Sequence, residues 1–448
     1  MLISGMGFFT DAYDLFVIGI VVVLLTPQWH LSIGQVSLLN SVTLAASAAG
    51  ALVFGRIADL LGRKRIYGFE VLILSAGAIA SGLAPNFMAL LICRIILGIG
   101  IGGDYPVSAT IMSEYSARRT RGRMVGLVFA MQGVGLVVGP LLAAVLLASG
   151  LSHDVVWRVL LAVGAVPGLA VFYLRRQIHE TPRFAMAGGA VEEARAAIAQ
   201  ATGRPAPTAV RPTGESRARH PQRVFDGFFL LAHSRLLLLW LVGTAVTWFL
   251  LDFAYYGNTI SSPVILGLVN PHGSLLDNTL IQLAIFAVFA LPGYLLAILL
   301  LDRAGRKTIQ ALGFTMMGVA FLLIAFVPGV ATSATPFIVL FGVSYFFTEF
   351  GPNTTTFVYP AELFPVSVRT TGHGISTATG KMGAFAGAYL FPHMLASWGI
   401  RGAEIVAGVV SLAGLVTTLI LLPESKGRSL ESISARAQEG GALRLEPA

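Results

Sequence analysis

Apolar residues in this chain fall into runs of about 20, the length that carries an α-helix across roughly 30 Å of hydrocarbon. Counting them predicts twelve spans, at about 5–26, 37–57, 66–85, 88–113, 122–149, 156–174, 236–260, 279–301, 308–328, 334–358, 371–397 and 401–422. Short polar links join most of these. The exception is 175–235, rich in Arg, Ala and Pro, where Val191–Thr202 has the make-up of a helix and Arg204–Arg223 reads as a basic linker. The expected fold is an all-α membrane protein of two six-helix bundles, 1–174 and 236–422, joined by 175–235 and followed by a tail, 423–448. The apolar start runs on into a full span, so no cleavable leader is expected.

One run stands apart. From Arg94 to Tyr115 an apolar helix carries Arg94 and Asp104 inside it, and a charge at the centre of a span costs about 2.5–3.5 kcal/mol on insertion scales. Gly98, Gly100, Gly102 and Gly103 bare part of its surface for close approach, and Pro106 breaks its hydrogen-bond ladder. Tight packing alone accounts for the glycines but needs neither Asp104 nor Tyr105. The glycine spacing resembles a dinucleotide fingerprint, yet no strand or βαβ unit surrounds it.

Composition sharpens the picture. Only 12% of the 448 residues are charged and 55% are hydrophobic, against about a quarter charged in a soluble domain. A single cysteine, Cys93, excludes a disulfide framework and any multi-cysteine metal site, and no cofactor or metal is expected. The net charge of +8 is not a nucleic-acid footprint. Of 30 Lys and Arg, Arg158 and Arg401 fall in links five–six and eleven–twelve, and Arg94 and Lys381 lie in spans. The other 26 gather at the links after even-numbered spans and in the tail. By the positive-inside rule that face, with both termini, is cytoplasmic.

The chain also repeats itself. Gly55-Arg-Ile-Ala-Asp-Leu-Leu-Gly-Arg-Lys-Arg65 follows span two, and Leu301-Asp-Arg-Ala-Gly-Arg-Lys307 follows span eight, with Asp59 and Asp302 243 residues apart. Glu114 and Arg121 recur as Glu362 and Arg369 at an offset of 248. Glu180-Thr-Pro-Arg183 has a weaker echo in Pro423-Glu-Ser-Lys-Gly-Arg428. Two parallel halves follow. The two acid-and-arginine links resemble the signature loops of the major facilitator superfamily, which implies charge networks that lock the cytoplasmic side. Asp59, Arg63, Glu114, Arg121, Asp302, Arg306, Glu362 and Arg369 are the candidate gate. The second copy departs from the pattern, with Ile298 in place of the first glycine.

In a two-half fold, intramembrane polar residues mark the site near the midplane. Trp248, Asp252 and Tyr256 recur every four residues on one helical face. Tyr105 and Asn353 are 248 apart and therefore repeat-equivalent, and Gln132 maps beside Lys381. One ammonium (Lys381), the neutral donors Tyr105, Tyr256, Gln132, Asn353 and Trp248, and an excess of carboxylates suit an anion that enters with protons. Asp11, Asp14, Glu70, Asp104 and Asp252 are the candidate proton-coupling acids. Glu349 could equally be structural, as could a hydrogen-bonded His373.

Several stretches together are similar to the phosphate:proton symporter family. They are Gly7-Phe-Phe-Thr-Asp-Ala-Tyr-Asp-Leu-Phe16, Gly102-Gly-Asp-Tyr-Pro-Val-Ser-Ala109, Phe350-Gly-Pro-Asn-Thr-Thr-Thr-Phe357, Pro360-Ala-Glu-Leu-Phe-Pro365 and the run from Arg369 to Lys381. The resemblance implies that Tyr105, Gln132, Trp248, Asp252, Tyr256, Asn353 and Lys381 surround inorganic phosphate, and that Asp11, Glu70 and Asp104 pass protons. Glu349 stands where that family has an uncharged residue. The alternative is a proton-linked symporter of an organic acid or sugar. A sensor would need a larger soluble domain, and the histidines and serines form no H-E-x-x-H or G-x-S-x-G motif of an enzyme. The expected partners are phosphate, protons and the bilayer, not nucleic acid, with a monomer in a bacterial inner membrane.

Overall fold

The computed structural model describes residues 2–117, 119–187, 189–202, 226–433 and 435, and among them it is helical without strands. Arg204–Arg223 and most of the tail lie outside the described residues. Among the described residues, ten helices are long and apolar enough to cross a membrane. One of them, Arg369–Leu421, is two crossings joined at Gly399 (φ 65, ψ −172). Splitting it there and adding the shorter Phe69–Gly82 helix gives twelve. They are α1 Leu2–Trp29, α2 Ile33–Leu61, α3 Phe69–Gly82, α4 Phe87–Tyr115, α5 Arg121–Ala148 and α6 His153–Arg176 in the first bundle. The second holds α7 Arg235–Val269, α8 Leu275–Ala304, α9 Arg306–Phe326, α10 Ala334–Leu363, α11 369–398 and α12 400–421. Val191–Thr202 is helical, as its composition predicts.

The links on the two faces are built differently. On the face away from the termini, four helices start on side-chain caps. Ser32 and Gln35 cap α2 reciprocally, Ser274 and Asp277 cap α8 in the same way, and Asn86 and Ser152 cap α4 and α6. On the basic face, the chain turns after α2 and α8 at Gly62 (φ 96) and Gly305 (φ 99), backbone angles that favour glycine. Glu180 then accepts the Lys64 amide at 3.1 Å, while Glu424 accepts those of Arg306 and Lys307 at 3.1 and 3.0 Å. The weak echo between Glu180 and Glu424 is therefore a repeated helix cap.

The glycines of α4 do pack helices. A methyl at Gly98 or Gly102 would stand 2.3 or 1.9 Å from the Thr43 or Ser47 carbonyl of α2, and one at Gly100 would stand 2.5 Å from the Leu74 amide of α3. Two neighbours thus grip α4 from different sides, leaving Asp104 and Tyr105 to face inward.

Candidate functional site

At the seam of the bundles, Lys381 on α11 is buried, with its Nζ 3.3 Å from Asp252 Oδ2. It donates to Tyr256 Oη at 2.7 Å and sits 4.5 Å from the Tyr105 ring centre, so one cation touches both bundles. The four-residue spacing of Trp248, Asp252 and Tyr256 aims all three inward from α7. Trp248 closes on Gly380 of α11, where a methyl would be 2.5 Å from the indole.

Beside the lysine lies a neutral network that crosses the seam. Gln132 Nε2 donates to Tyr105 Oη at 3.2 Å, and Asn353 Nδ2 donates to Gln132 Oε1 at 3.1 Å. The repeat-equivalent Tyr105 and Asn353 are thus bridged by one amide. Tyr294 on α8, which the sequence does not single out, donates to Gln132 Oε1 at 2.7 Å and accepts from Asn353 at 2.8 Å. No repeat partner or motif points to it. All seven predicted binding residues are brought together, each no more than 2% exposed.

Aromatic rings close the site at both ends. Toward the basic face, Phe129 and Phe357 stack at 4.4 Å and Phe8 packs edge-on against Phe357 at 4.9 Å. Toward the other face, Phe16 stacks on Tyr256 at 5.2 Å, and a methyl at Gly19 would be 2.3 Å from the Ile260 carbonyl. The conformation is occluded. Beyond this roof, an apolar cleft of about 340 Å³ opens between α1, α2, α7 and α11.

The predicted proton-coupling acids divide. Glu70 and Asp104 meet a partner outside the predicted set, Arg175 at the end of α6. It bonds Asp104 with both terminal nitrogens, at 2.8 and 3.0 Å, and Glu70 at 2.8 Å. Placing Arg175 in a link, as a charge of topology only, is corrected here, because it is fully buried. Bare Gly7 lets α1 lie on this pair, since a methyl there would overlap Asp104. Asp11, one turn on, is within the electrostatic reach of Asp104, Arg175 and Lys381, so it stands between the acid cluster and the seam. Asp14 stands apart. Its carboxylate lies against Gly164 of α6, and its carbonyl accepts from Arg94 at 2.7 Å. His373 is held by Thr377 and the Phe357 carbonyl, as a structural histidine would be.

The eight gate candidates assemble on the basic face. Arg63 and Arg369 both bind Glu114, at 3.3 and 2.9 Å, and Arg63 also pairs with Asp59 at 3.0 Å. Arg306 binds Glu362 and Asp302, each at 2.8 Å. Each aspartate caps a helix of the opposite bundle. Asp59 accepts the Thr371 amide at 2.7 Å, and Asp302 accepts that of Arg123 at 2.9 Å, where the helix-start dipole favours an anion. Arg183 and Glu431 tie the link to the tail at 3.1 Å. Burial would raise the Glu431 carboxyl, but its backbone amide and Arg183 hold it below the usual range. For Glu180, burial wins over the nearby Arg63 and pushes the carboxyl up.

A buried cation at the seam of two six-helix bundles latched at one face, with a separate acid cluster inside the first bundle, defines a multi-pass membrane carrier of the major facilitator fold. Residues 1–437 match the family model described as "Sugar (and other) transporter". The chain belongs to that transporter family. The solved proton:xylose symporter XylE is similar in fold, with a TM-score of 0.76 at 20% identity over 97% of this chain and 98% of that one. Among curated proteins, the "Probable inorganic phosphate transporter 1-6" of Arabidopsis thaliana is 35% identical, covering 98% of this chain and 93% of its own. The "Inorganic phosphate transporter 1-6" of Oryza sativa subsp. japonica is 36% identical with the same coverage. The "Low affinity inorganic phosphate transporter 1" of Petunia hybrida is 36% identical over 98% of this chain and 92% of its own.

Proposed function

We propose that this chain is a proton-coupled symporter that imports inorganic phosphate by alternating access, the bundles 1–174 and 236–422 rocking about the seam. The observation that carries the proposal is Lys381, a buried ammonium held by Asp252 at 3.3 Å within a ring of neutral donors. An anion that displaces Asp252 from the lysine leaves a buried carboxylate with no cation beside it. That carboxylate then takes up a proton, which couples the two. Tyr105, Gln132, Trp248, Tyr256 and Asn353 supply hydrogen bonds around the anion. A lone Lys acts as a point charge rather than a bidentate fork, so the monovalent, proton-bearing phosphate is the preferred form.

Asp11, Glu70 and Asp104 pass protons toward the basic face, with Arg175 as their counter-charge, and Asp14 offsets Arg94. The ion pairs around Glu114 and Glu362 hold that face shut until the loaded site rearranges. The strong basic bias assigns that face and both termini to the cytoplasm. Short loops and an Ala/Gly/Arg-rich make-up suit a bacterial inner membrane and a carrier that works as a monomer, without cofactor, metal or catalytic chemistry.

Labelled phosphate uptake into proteoliposomes under an inward proton gradient tests this, with benzoate and hexose for comparison. Phosphate accumulation that a protonophore abolishes is expected, and entry of hexose or benzoate in its place would favour the alternative substrates. Asp252→Asn is expected to abolish acid-driven accumulation, and accumulation at the wild-type level would remove Asp252 from the coupling.

A further inference from the structure

The acid cluster of the first bundle has a second set of neighbours, all hydroxyls. Ser108, one turn beyond Asp104 on α4, donates to Asp104 Oδ1 at 2.6 Å. Its Oγ lies 3.5 Å from Tyr67 Oη, and Tyr67, just ahead of α3, donates to Ser4 Oγ of α1 at 2.7 Å. None of the three side chains is more than 2% exposed. Ser4 also belongs to the wall of a cavity of about 560 Å³ at the basic face, which includes Tyr115, Ser116 and Thr120 and reaches the exposed Ala117 of the α4–α5 link. A water molecule takes about 30 Å³, so the cavity has room for several. On α1, Ser4, Gly7 and Asp11 share one helical face. Asp11, the Asp104–Arg175 pair lying on Gly7, and Ser4 therefore follow one another down the helix toward the basic face.

We propose that Ser108, Tyr67 and Ser4 are a hydroxyl wire that carries the coupled proton from Asp104 to water at the basic face, inside the first bundle and apart from the anion's route. The proposal rests on the proton-coupled reading above and adds how the proton leaves. Two acids share one guanidinium, so the cluster has room for a proton, and while Asp104 holds it Glu70 keeps Arg175 at 2.8 Å. A neutral Asp104 no longer needs the Ser108 O–H. Ser108 then turns to accept from the acid and to donate to Tyr67, closing the 3.5 Å step. The proton of Asp104 passes to Ser108 Oγ, that of Ser108 to Tyr67 Oη, that of Tyr67 to Ser4 Oγ and that of Ser4 to water. Each hydroxyl makes one O–H bond as it breaks another, and Asp104 is left as the carboxylate beside Arg175. Rotation of the three hydroxyls resets the wire. Neutral hydroxyls relay the proton without any of them becoming an unpaired buried ion, which a dry segment requires. The seam route is barred separately, by Phe8, Phe129 and Phe357.

Tyr67→Phe separates this wire from a merely structural bond. Phenylalanine keeps the ring, whose centre lies 4.6 Å from the Arg175 guanidinium carbon, and removes the hydroxyl alone. In proteoliposomes, net uptake of labelled phosphate under an inward proton gradient is expected to fall by about tenfold or more. Exchange of labelled phosphate between equilibrated compartments returns the carrier still protonated, so it is expected to keep the wild-type rate. Net uptake at the wild-type rate in Y67F overturns the proposal. So does an equal loss of uptake and exchange, which a disturbed fold would give. Should Phe prove unstable, Ser4→Ala removes the next hydroxyl and is read in the same way. Failure of wild type to exchange phosphate would instead overturn the phosphate assignment, the wire then being read with the solute that does exchange.

Discussion

Among the described residues, two arginines from different bundles pair with Glu114, whereas one pairs with its repeat partner Glu362. Arg63 and Arg369 both pair with Glu114, and Thr181 adds a hydroxyl at 2.5 Å. Glu362 takes Arg306 and the Ser425 hydroxyl at 2.7 Å. Arg121, the equivalent of Arg369, forms no ion pair with it among the described residues and bonds the Arg428 carbonyl at 3.4 Å instead. The backbones differ in the same sense. At the first crossing Gly55 and Gly374 face each other, and a methyl on Gly374 would stand 2.5 Å from the Ala51 carbonyl. At the second, Ile298 stands opposite Gly126, where a methyl would find nothing nearer than 3.6 Å. A shared motif thus supplies equal parts to both latches, but bundle geometry closes one more tightly. Ile298 in place of glycine is accommodated because the equivalent partner, Gly126, is bare.

The largest contrast is expected on removing the central acids. Glu114→Gln takes away a counter-charge shared by two buried guanidinium groups, of which Arg63 keeps Asp59, and should cost about 3–5 kcal/mol. Glu362→Gln should cost less, since it serves one guanidinium, Arg306, which keeps Asp302. Thermal unfolding in detergent measures both, and equal losses would mean that the latches are equivalent after all. Next in size are the crossings. Gly374→Ala is expected to cost about 1–3 kcal/mol by overpacking and to slow phosphate uptake, while Gly126→Ala should be neutral or stabilising by up to about 1 kcal/mol. The smallest effect lies in the caps. Asp59→Asn should lose about 0.5–2 kcal/mol at the start of α11. Asp302→Asn should lose less, its side chain being 21% exposed. A larger loss at Asp302 would reverse the ranking of the two latches.

Much of the site was legible before any coordinates. The spacing of Trp248, Asp252 and Tyr256 fixes a common face on any helix, and the 248-residue offset pairs Tyr105 with Asn353 because parallel repeats put equivalent residues at equivalent depths. Arg175 was not legible. A basic residue at the end of an apolar run is ordinarily drawn to the interface, and only the placement of α1, α3 and α4 around it makes it the partner of Glu70 and Asp104. Nor was Tyr294, since a lone tyrosine in an apolar run most often only packs. Asp14 shows the converse, for although it follows Asp11 by three residues on the same helix, its carboxylate lies against Gly164 of α6.

Span number, repeat and basic bias are properties of the chain as a line. A bilayer sorts segments by length and polarity, one at a time, before any two meet. Which acid meets which cation, which latch closes tighter and whether the cavity is sealed depend on the angles and depths at which helices hundreds of residues apart cross. No local pattern carries that information, and only the packed bundles decide it.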